Sequence, residues 1–257
     1  MTAAWPAGYN VTRFESAGST NDLAKDAAKA EGPDGAVFWT PHQTTGRGTH
    51  GREWATPPGN LAVSILKRPQ MPIRFAPQAA LVTAVALADA LCGMGLVSSR
   101  VKLKWPNDVM VDGCKVSGIL VEGQAAGHGV DWLVVGTGVN VLHHPAETRH
   151  PATNLAEAGF NTSIEEVLHR YLTAFETWWS RWQRYDFQVI QTAWTARTKH
   201  VPGEQLQLLQ GGQMISARYK RLSPEGALVV EGPDGVETQI VSGEVFADPT
   251  LPLETTD

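Results

Sequence analysis

Apolar and polar positions along the chain sort into short strand-like runs, three helical stretches and a distinct carboxy-terminal texture. Residues 11–15 predict a strand. Ser19, Thr20, Asn21 and Asp22 then offer side-chain caps for a helix running to about residue 31, closed by Gly32-Pro33-Asp34-Gly35. Further strands are expected at 36–40 and 61–66. The interval 41–60 holds four Gly and three Pro and no apolar period, so it reads as a long loop, and long ordered loops usually carry function. Residues 79–91 form the longest apolar run; it contains Asp89 and falls short of the roughly 20 residues a bilayer span needs, so it predicts a buried helix. Strands follow at 101–105 and 109–111 around a Pro106-Asn107-Asp108 turn, with a hairpin signal at Asp112-Gly113. Two long β-rich runs, 115–122 and 131–142, are linked by the glycine-rich 123–129.

Ser163 and Glu166 make a capping box, and Ile164, Val167, Leu168, Tyr171, Leu172, Phe175, Trp178, Trp179 and Trp182 mark one buried helix face behind it. From Gln205 onward short strands are broken by Gly211-Gly212, Pro224-Glu225-Gly226 and Pro233-Asp234-Gly235, the spacing of a small all-β barrel. These elements predict an α+β fold, with a mixed, largely antiparallel sheet and packed helices over 1–202. A small β-barrel over 203–257 follows a boundary near Val201-Pro202-Gly203.

The 257 residues carry 21 Lys and Arg against 26 Asp and Glu, a formal net charge of −5. No global attraction then draws the chain to nucleic acid or to anionic lipid, so neither partner is expected and any basic site must be local. Cys92 and Cys114 are too few for a disulfide framework or a cysteine zinc site, which suits a reducing compartment. Residues 1–10 lack the basic end and apolar run of a secretion signal, so a cytoplasmic location is expected.

Two segments carry candidate chemistry. In 46–54, Gly46, Gly48 and Gly51 allow backbone amides to approach a ligand closely, while Arg47 and Arg52 can fork onto phosphate or carboxylate and Trp54 can stack on a flat group. The bland alternative is a surface turn with solvated arginines. In 102–108, Lys102 and Lys104 share one strand face, and Asn107 and Asp108 supply an amide and a metal-type carboxylate; ordinary edge lysines and turn chemistry would look the same. Lys115 can join this group if its strand pairs across the hairpin. Residues 136–141 lack a third glycine and do not open a βα unit, so a dinucleotide fold is rejected, and no Walker loop or nucleophile elbow is present. His143, His144 and His150 lack metal-ligand spacing and read as a mostly solvated cluster, and Cys114 reads as a packing residue.

Taken in order, Ser19-Thr20-Asn21, Gln43 with 46–54, Lys104-Trp105-Pro106-Asn107-Asp108, 115–122 and 136–141 resemble the biotin protein ligases. The resemblance covers roughly residues 11–200, and the tail with Ser242-Gly243-Glu244-Val245 is similar to that family's SH3-like carboxy-terminal domain. It implies a two-step reaction in which ATP and biotin, with Mg²⁺, give biotinyl-5′-adenylate and pyrophosphate. A lysine of a biotin carboxyl carrier protein then attacks the adenylate. No winged helix precedes the first strand, so a ligase that is not a repressor is expected. A homodimer is compatible with the sequence.

By position the resemblance assigns Lys115, Arg47 and Lys104 to catalysis, Lys115 at the reacting carboxyl and Lys104 near the nucleotide phosphates. Ser19, Thr20, Asn21, Gln43, Gly46, Arg47, Lys115 and Gly118 fall to biotin. Arg52, Trp54, Lys104, Asn107 and Asn140 fall to the nucleotide, and Asp108 to Mg²⁺. One departure stands out: Thr49 occupies a position where the family usually has Arg, so the adenylate is expected to be held through His50 and Arg52 or to be released more readily. The rival of the same fold is a lipoate or octanoate ligase or transferase, against which Gln43 and the 104–108 run argue. The rival of another class is a nucleic-acid-binding module built on the tail, against which the acidic balance argues.

Overall fold

The computed structural model describes residues 4–146, 148 and 150–246, and at His50 the backbone alone. In chain order the elements are β1 (Asn10–Arg13), α1 (Thr20–Lys29), β2 (Ala36–Thr40), β3 (Leu61–Lys67), α2 (Gln78–Gly93), β4 (Val101–Lys104), β5 (Asp108–Val111), β6 (Cys114–Ala126) and β7 (Gly129–Val139). There follow α3 (Ile164–Tyr185), α4 (Gln188–Thr195), β8 (Gln205–Gln210), β9 (Gln213–Leu222), β10 (Leu228–Glu231), β11 (Glu237–Ile240) and β12 (Glu244–Phe246).

β1 to β7 form one sheet in the order β1-β2-β3-β7-β6-β5-β4, with β1 parallel to β2 and every other neighbouring pair antiparallel. All seven residues of β3 are buried because both faces of the sheet are covered. Val63 and Ile65 join the large core under α2 and α3, whereas Leu66 joins Ala24 and Ala28 of α1 on the other side. The α1 side also carries the functional cavity described below.

The helix predicted at 79–91 is α2. Together with the preceding turn, Ile73–Gly93 is long and apolar enough to cross a membrane, more than the bare apolar run indicated, yet most of it is buried inside the molecule. Asp89, the charge within it, accepts from Trp178 Nε1 at 2.6 Å and pairs with Arg197. A half-buried carboxylate so partnered avoids the cost of unpaired desolvation. The capping box is real: Glu166 N donates to Ser163 Oγ at 3.1 Å, and the aromatic stripe of α3 from Tyr171 to Trp182 is buried. α3 ends where Asp186 takes a positive φ of 77°. The short α4 behind it was not foreseen; only Ile190 and Trp194 are buried in it, too few positions to show a period.

The carboxy-terminal strands form an antiparallel sheet, β11-β10-β9-β8-β12, which fits an SH3-like domain. Its apolar face is continuous with the main core through Leu206, Leu208, Tyr219 and Val245. Polar ties add to this: Trp105 Nε1 donates to Gly226 O at 3.1 Å and Gln191 Nε2 to Leu222 O at 2.7 Å. Residues 247–257 of the expected barrel lie outside the described residues. Docking in this way brings β12 beside the loop 46–54.

Candidate active site

The floor of the site is made by glycines on β6 and β7. Gly118 and Gly138 are cross-strand partners, and the Trp54 indole lies directly on them. A Cβ at Gly138 would sit 2.1 Å from Trp54 Nε1, and one at Gly118 would sit 2.9 Å from Trp54 Cζ3, so no side chain is tolerated while the indole is there. One register step along, Gly136 makes room for the Asn21 amide, whose Oδ1 would be 2.1 Å from an added Cβ. Above this floor lies a cavity of about 260 Å³.

One wall is the start of α1. Ser19 occupies the N-cap position but its hydroxyl makes no capping bond, which corrects the reading of Ser19 as a side-chain cap and leaves that hydroxyl at the cavity wall. Thr20 donates from both N and Oγ1 to Gln43 Oε1, at 2.8 and 3.2 Å, and Gln43 Nε2 donates to Thr56 Oγ1 at 3.3 Å. Ser64 Oγ lies 2.8 Å from Thr20 Oγ1 and 2.5 Å from Asn21 Oδ1. These buried side chains give the cavity a fixed set of donors and acceptors in an otherwise apolar wall, the chemistry a small neutral polar ring requires.

Arg47, Arg52 and Lys115 line the cavity and Lys104 lies behind it, and each meets a carboxylate from another element. Arg47 forks onto Asp22 at 2.7 and 2.5 Å, with Glu122 at 3.4 Å; the guanidinium hydrogen bond holds the Asp22 carboxyl down at about 2. Lys115 Nζ stands 2.5 Å from Asp108 Oδ1, out of hydrogen-bond alignment, and Lys104 Nζ 3.8 Å from Asp108 Oδ2. Lys104 is buried although β4 is an edge strand, because residues 197–199 pair with that edge: Lys199 N donates to Leu103 O at 2.9 Å. Burial pulls the Lys104 ammonium down to about 8. Arg52 Nη1 donates to Glu244 Oε1 of β12 at 2.6 Å.

The sequence-predicted residues Ser19, Thr20, Asn21, Gln43, Arg47, Arg52, Trp54, Asn107, Lys115, Gly118 and Asn140 all line this one cavity. Gly46 does not; it lets the chain close on itself, since Trp54 N donates to Gly46 O at 2.9 Å. Lys104 and Asp108 sit behind the cavity. The expectation that Asp108 holds Mg²⁺ does not fit its surroundings, where two ammonium groups already face a lone carboxylate. Among the described residues no group of three His, Cys, Asp or Glu side chains could hold a metal. Asn107 and Asn140 spend their amide donors on backbone, on Ile119 O at 2.5 Å and Thr153 O at 3.0 Å.

The reading of the histidines needs correction as well. His143 is exposed, but His150 lines the cavity with its side chain only 17% exposed. Thr137, from the 136–141 run, lines the cavity too, as do Pro145 and Thr148, which carried no signal in the sequence. The side chain of His50, named as a possible holder of the adenylate, lies outside the described residues.

Residues 14–140 match the model of the biotin/lipoate A/B protein ligase family. A biotin–acetyl-CoA-carboxylase ligase of Paracoccus denitrificans is 37% identical over 213 residues, spanning 79% of this chain and 87% of the relative. The chain belongs to the biotin protein ligase family. A second member, the biotin–acetyl-CoA-carboxylase ligase of Mycobacterium tuberculosis, is 30% identical over 88% of this chain and 84% of its own. The biotin protein ligase of Aquifex aeolicus, solved in complex with biotin and ATP, superposes with a TM-score of 0.77 at 27% identity, covering 92% of this chain and 97% of that one. Membership extends across both sheets, so in this biotin protein ligase the carboxy-terminal strands belong with the cavity-bearing fold.

Proposed function

We propose that this protein is an ATP-dependent biotin ligase that joins biotin to a lysine of a biotin carboxyl carrier protein. The carrying observation is a single cavity lined both by the neutral hydrogen-bonding side chains of Ser19, Thr20 and Gln43 and by the cations Lys115 and Arg47. A ureido ring suits the first group and a carboxylate the second. The relatives named above support biotin and ATP as the substrates.

In the first step a biotin carboxylate oxygen attacks the α-phosphorus of ATP. The bond to pyrophosphate breaks and biotinyl-5′-adenylate forms. Two anions must come together, so the contribution of Lys115 and Arg47 is to hold both in line and to stabilise the charge that develops between them. Lys104, one layer back, adds field without touching the cavity. Asp108, already facing Lys104 and Lys115, is given no metal in this scheme. In the second step the carrier amine attacks the mixed anhydride, giving the amide and AMP, with no covalent enzyme intermediate.

ATP–pyrophosphate exchange with biotin, lipoate and octanoate in parallel tests the reading, with Lys115→Ala as the blank. Exchange with biotin, lost by orders of magnitude in Lys115→Ala while the far-ultraviolet spectrum is retained, is the expected result. Exchange with a lipoyl-type acid instead would overturn the substrate. No exchange with any of the three would overturn the ligase reading.

A further inference from the structure

Residues 150–153 form the cavity wall beside Lys115, and they do so by pairing with its backbone. Lys115 N donates to Pro151 O at 2.7 Å, Thr153 N donates to Lys115 O at 2.9 Å, and Lys115 and Ala152 form a parallel bridge. Asn140 Nδ2 closes the arrangement on Thr153 O. What fixes the near end of this wall is the side chain of His150. Its Nε2 lies 3.0 Å from Glu244 Oε1, and its ring lies 5.0 Å from that of Phe246, tilted by 39°. Both partners sit on β12, whose place is set by pairing with β8. Glu244, with a side chain only 11% exposed, is held well into its ionised form, down at about 2, by His150 and Arg52 despite its burial.

We infer that His150 is a positioning residue for the ligase reaction: docked on Glu244 and Phe246, it holds the 150–153 wall against Lys115. The carboxy-terminal sheet thereby sets the placement of the reacting lysine without touching substrate. The inference rests on the proposed ligase activity for its kinetic consequences and on geometry alone for its structural ones. Without the imidazole, Pro151 O and Thr153 N are no longer kept in register with Lys115. Nucleotide binding and turnover then weaken, while the Ser19, Thr20 and Gln43 end of the cavity is untouched.

The test uses the full chain and compares His150→Ala, His150→Gln, Glu244→Ala and the double variant His150→Ala/Glu244→Ala. In ATP–pyrophosphate exchange, His150→Ala is expected to raise KM for ATP about tenfold, the scale of one lost hydrogen bond to a charged group, with a smaller rise in KM for biotin, whose ring is still held by Ser19, Thr20 and Gln43. His150→Gln, which keeps a donor for Glu244, should recover most of that loss. In the Glu244→Ala background the His150→Ala change should cost clearly less than in wild type, because only the Phe246 contact remains to be lost.

Independently of activity, amide exchange at residues 114–118 and 150–155 should quicken in His150→Ala while 61–67 stays protected. Unchanged KM for ATP with unchanged local exchange would overturn the inference. So would multiplicative effects in the double variant, or a uniform loss of protection across the fold. If wild type shows no biotin-dependent exchange, the ligase reading fails by itself, and the amide-exchange comparison still decides the His150 contact.

Discussion

Replacing Lys104 with methionine should make the protein more stable and less active. The Lys104 side chain is 4% exposed, and its ammonium is pulled from 10.5 to about 8 by burial. At about 1.4 kcal/mol per pH unit, that displacement is a penalty of about 3 kcal/mol carried by the folded protein at neutral pH. Methionine has a similar length and no charge, so most of the penalty disappears. The attraction of Asp108 is already contained in that displacement, and Asp108 keeps Lys115 at 2.5 Å, so the net gain is on the order of 1–3 kcal/mol.

The sign with pH is definite. Below about 8 both folded and unfolded states hold the proton and the folded state bears the full cost. Between about 8 and 10.5 the folded protein releases the proton while the unfolded chain retains it, so wild-type stability rises with pH across this window. Urea unfolding of wild type and Lys104→Met at several pH values measures the difference directly. The variant's advantage should be largest near neutrality and shrink as pH rises through the window, while its ATP–pyrophosphate exchange is slower throughout. A variant less stable than wild type near neutrality, or an advantage that does not change with pH, would refute the reasoning.

Three further outcomes follow from the geometry. Gly138→Ala places a Cβ 2.1 Å from Trp54 Nε1 and should cost about 1–3 kcal/mol in urea unfolding. Most of that cost should vanish in a Trp54→Ala background, and an equal cost in both backgrounds would show that the indole is not what excludes the side chain. Asp108→Asn should slow adenylate formation while leaving the Mg²⁺ concentration for half-activation unchanged; a several-fold rise would return Asp108 to the metal. Thr49 now receives Arg52 through its carbonyl at 3.3 Å and its hydroxyl at 3.1 Å. Thr49→Arg should slow adenylate release and lower bystander biotinylation, and equal release rates would sink the leakage idea.

The elements with strong period were legible from the residues alone. The α3 stripe is a repeat written locally, and the strands around 36–40, 61–66 and 115–122 stand out as short apolar runs bounded by polar or glycine-rich segments. Most of the cavity residues were legible too, because Gln43, 46–54 and Lys115 fall in a spacing that matches a family. What the residues did not show is where distant partners settle the role of a side chain. Asp108 looked like a metal ligand in its Pro-Asn-Asp context, but a bulged β5–β6 hairpin delivers Lys115 onto it. His150 looked solvated among three histidines, and its partner Glu244 lies 94 residues later. Arg52 was assigned to nucleotide with no sign that β12 would draw it to the same carboxylate.

These three cases share one physical logic. A chain of net charge −5 must keep a cationic cavity folded before any anion arrives, and cations left unpaired there, buried Lys104 and half-buried Lys115 and Arg47 above all, would oppose folding. Here Asp22, Asp108 and Glu244 supply that compensation from α1, β5 and β12, each reaching a cation on a different segment. An incoming carboxylate and triphosphate offer the same partners more negative charge, so ligand entry exchanges internal ion pairs for external ones rather than creating them from solvated groups. The arginines of 46–54 are then held in place beforehand, which lowers the ordering cost of binding. It follows that weakening any one of the three carboxylates should loosen the empty protein more than the liganded one, since the ligand takes over the role that the carboxylate plays in its absence.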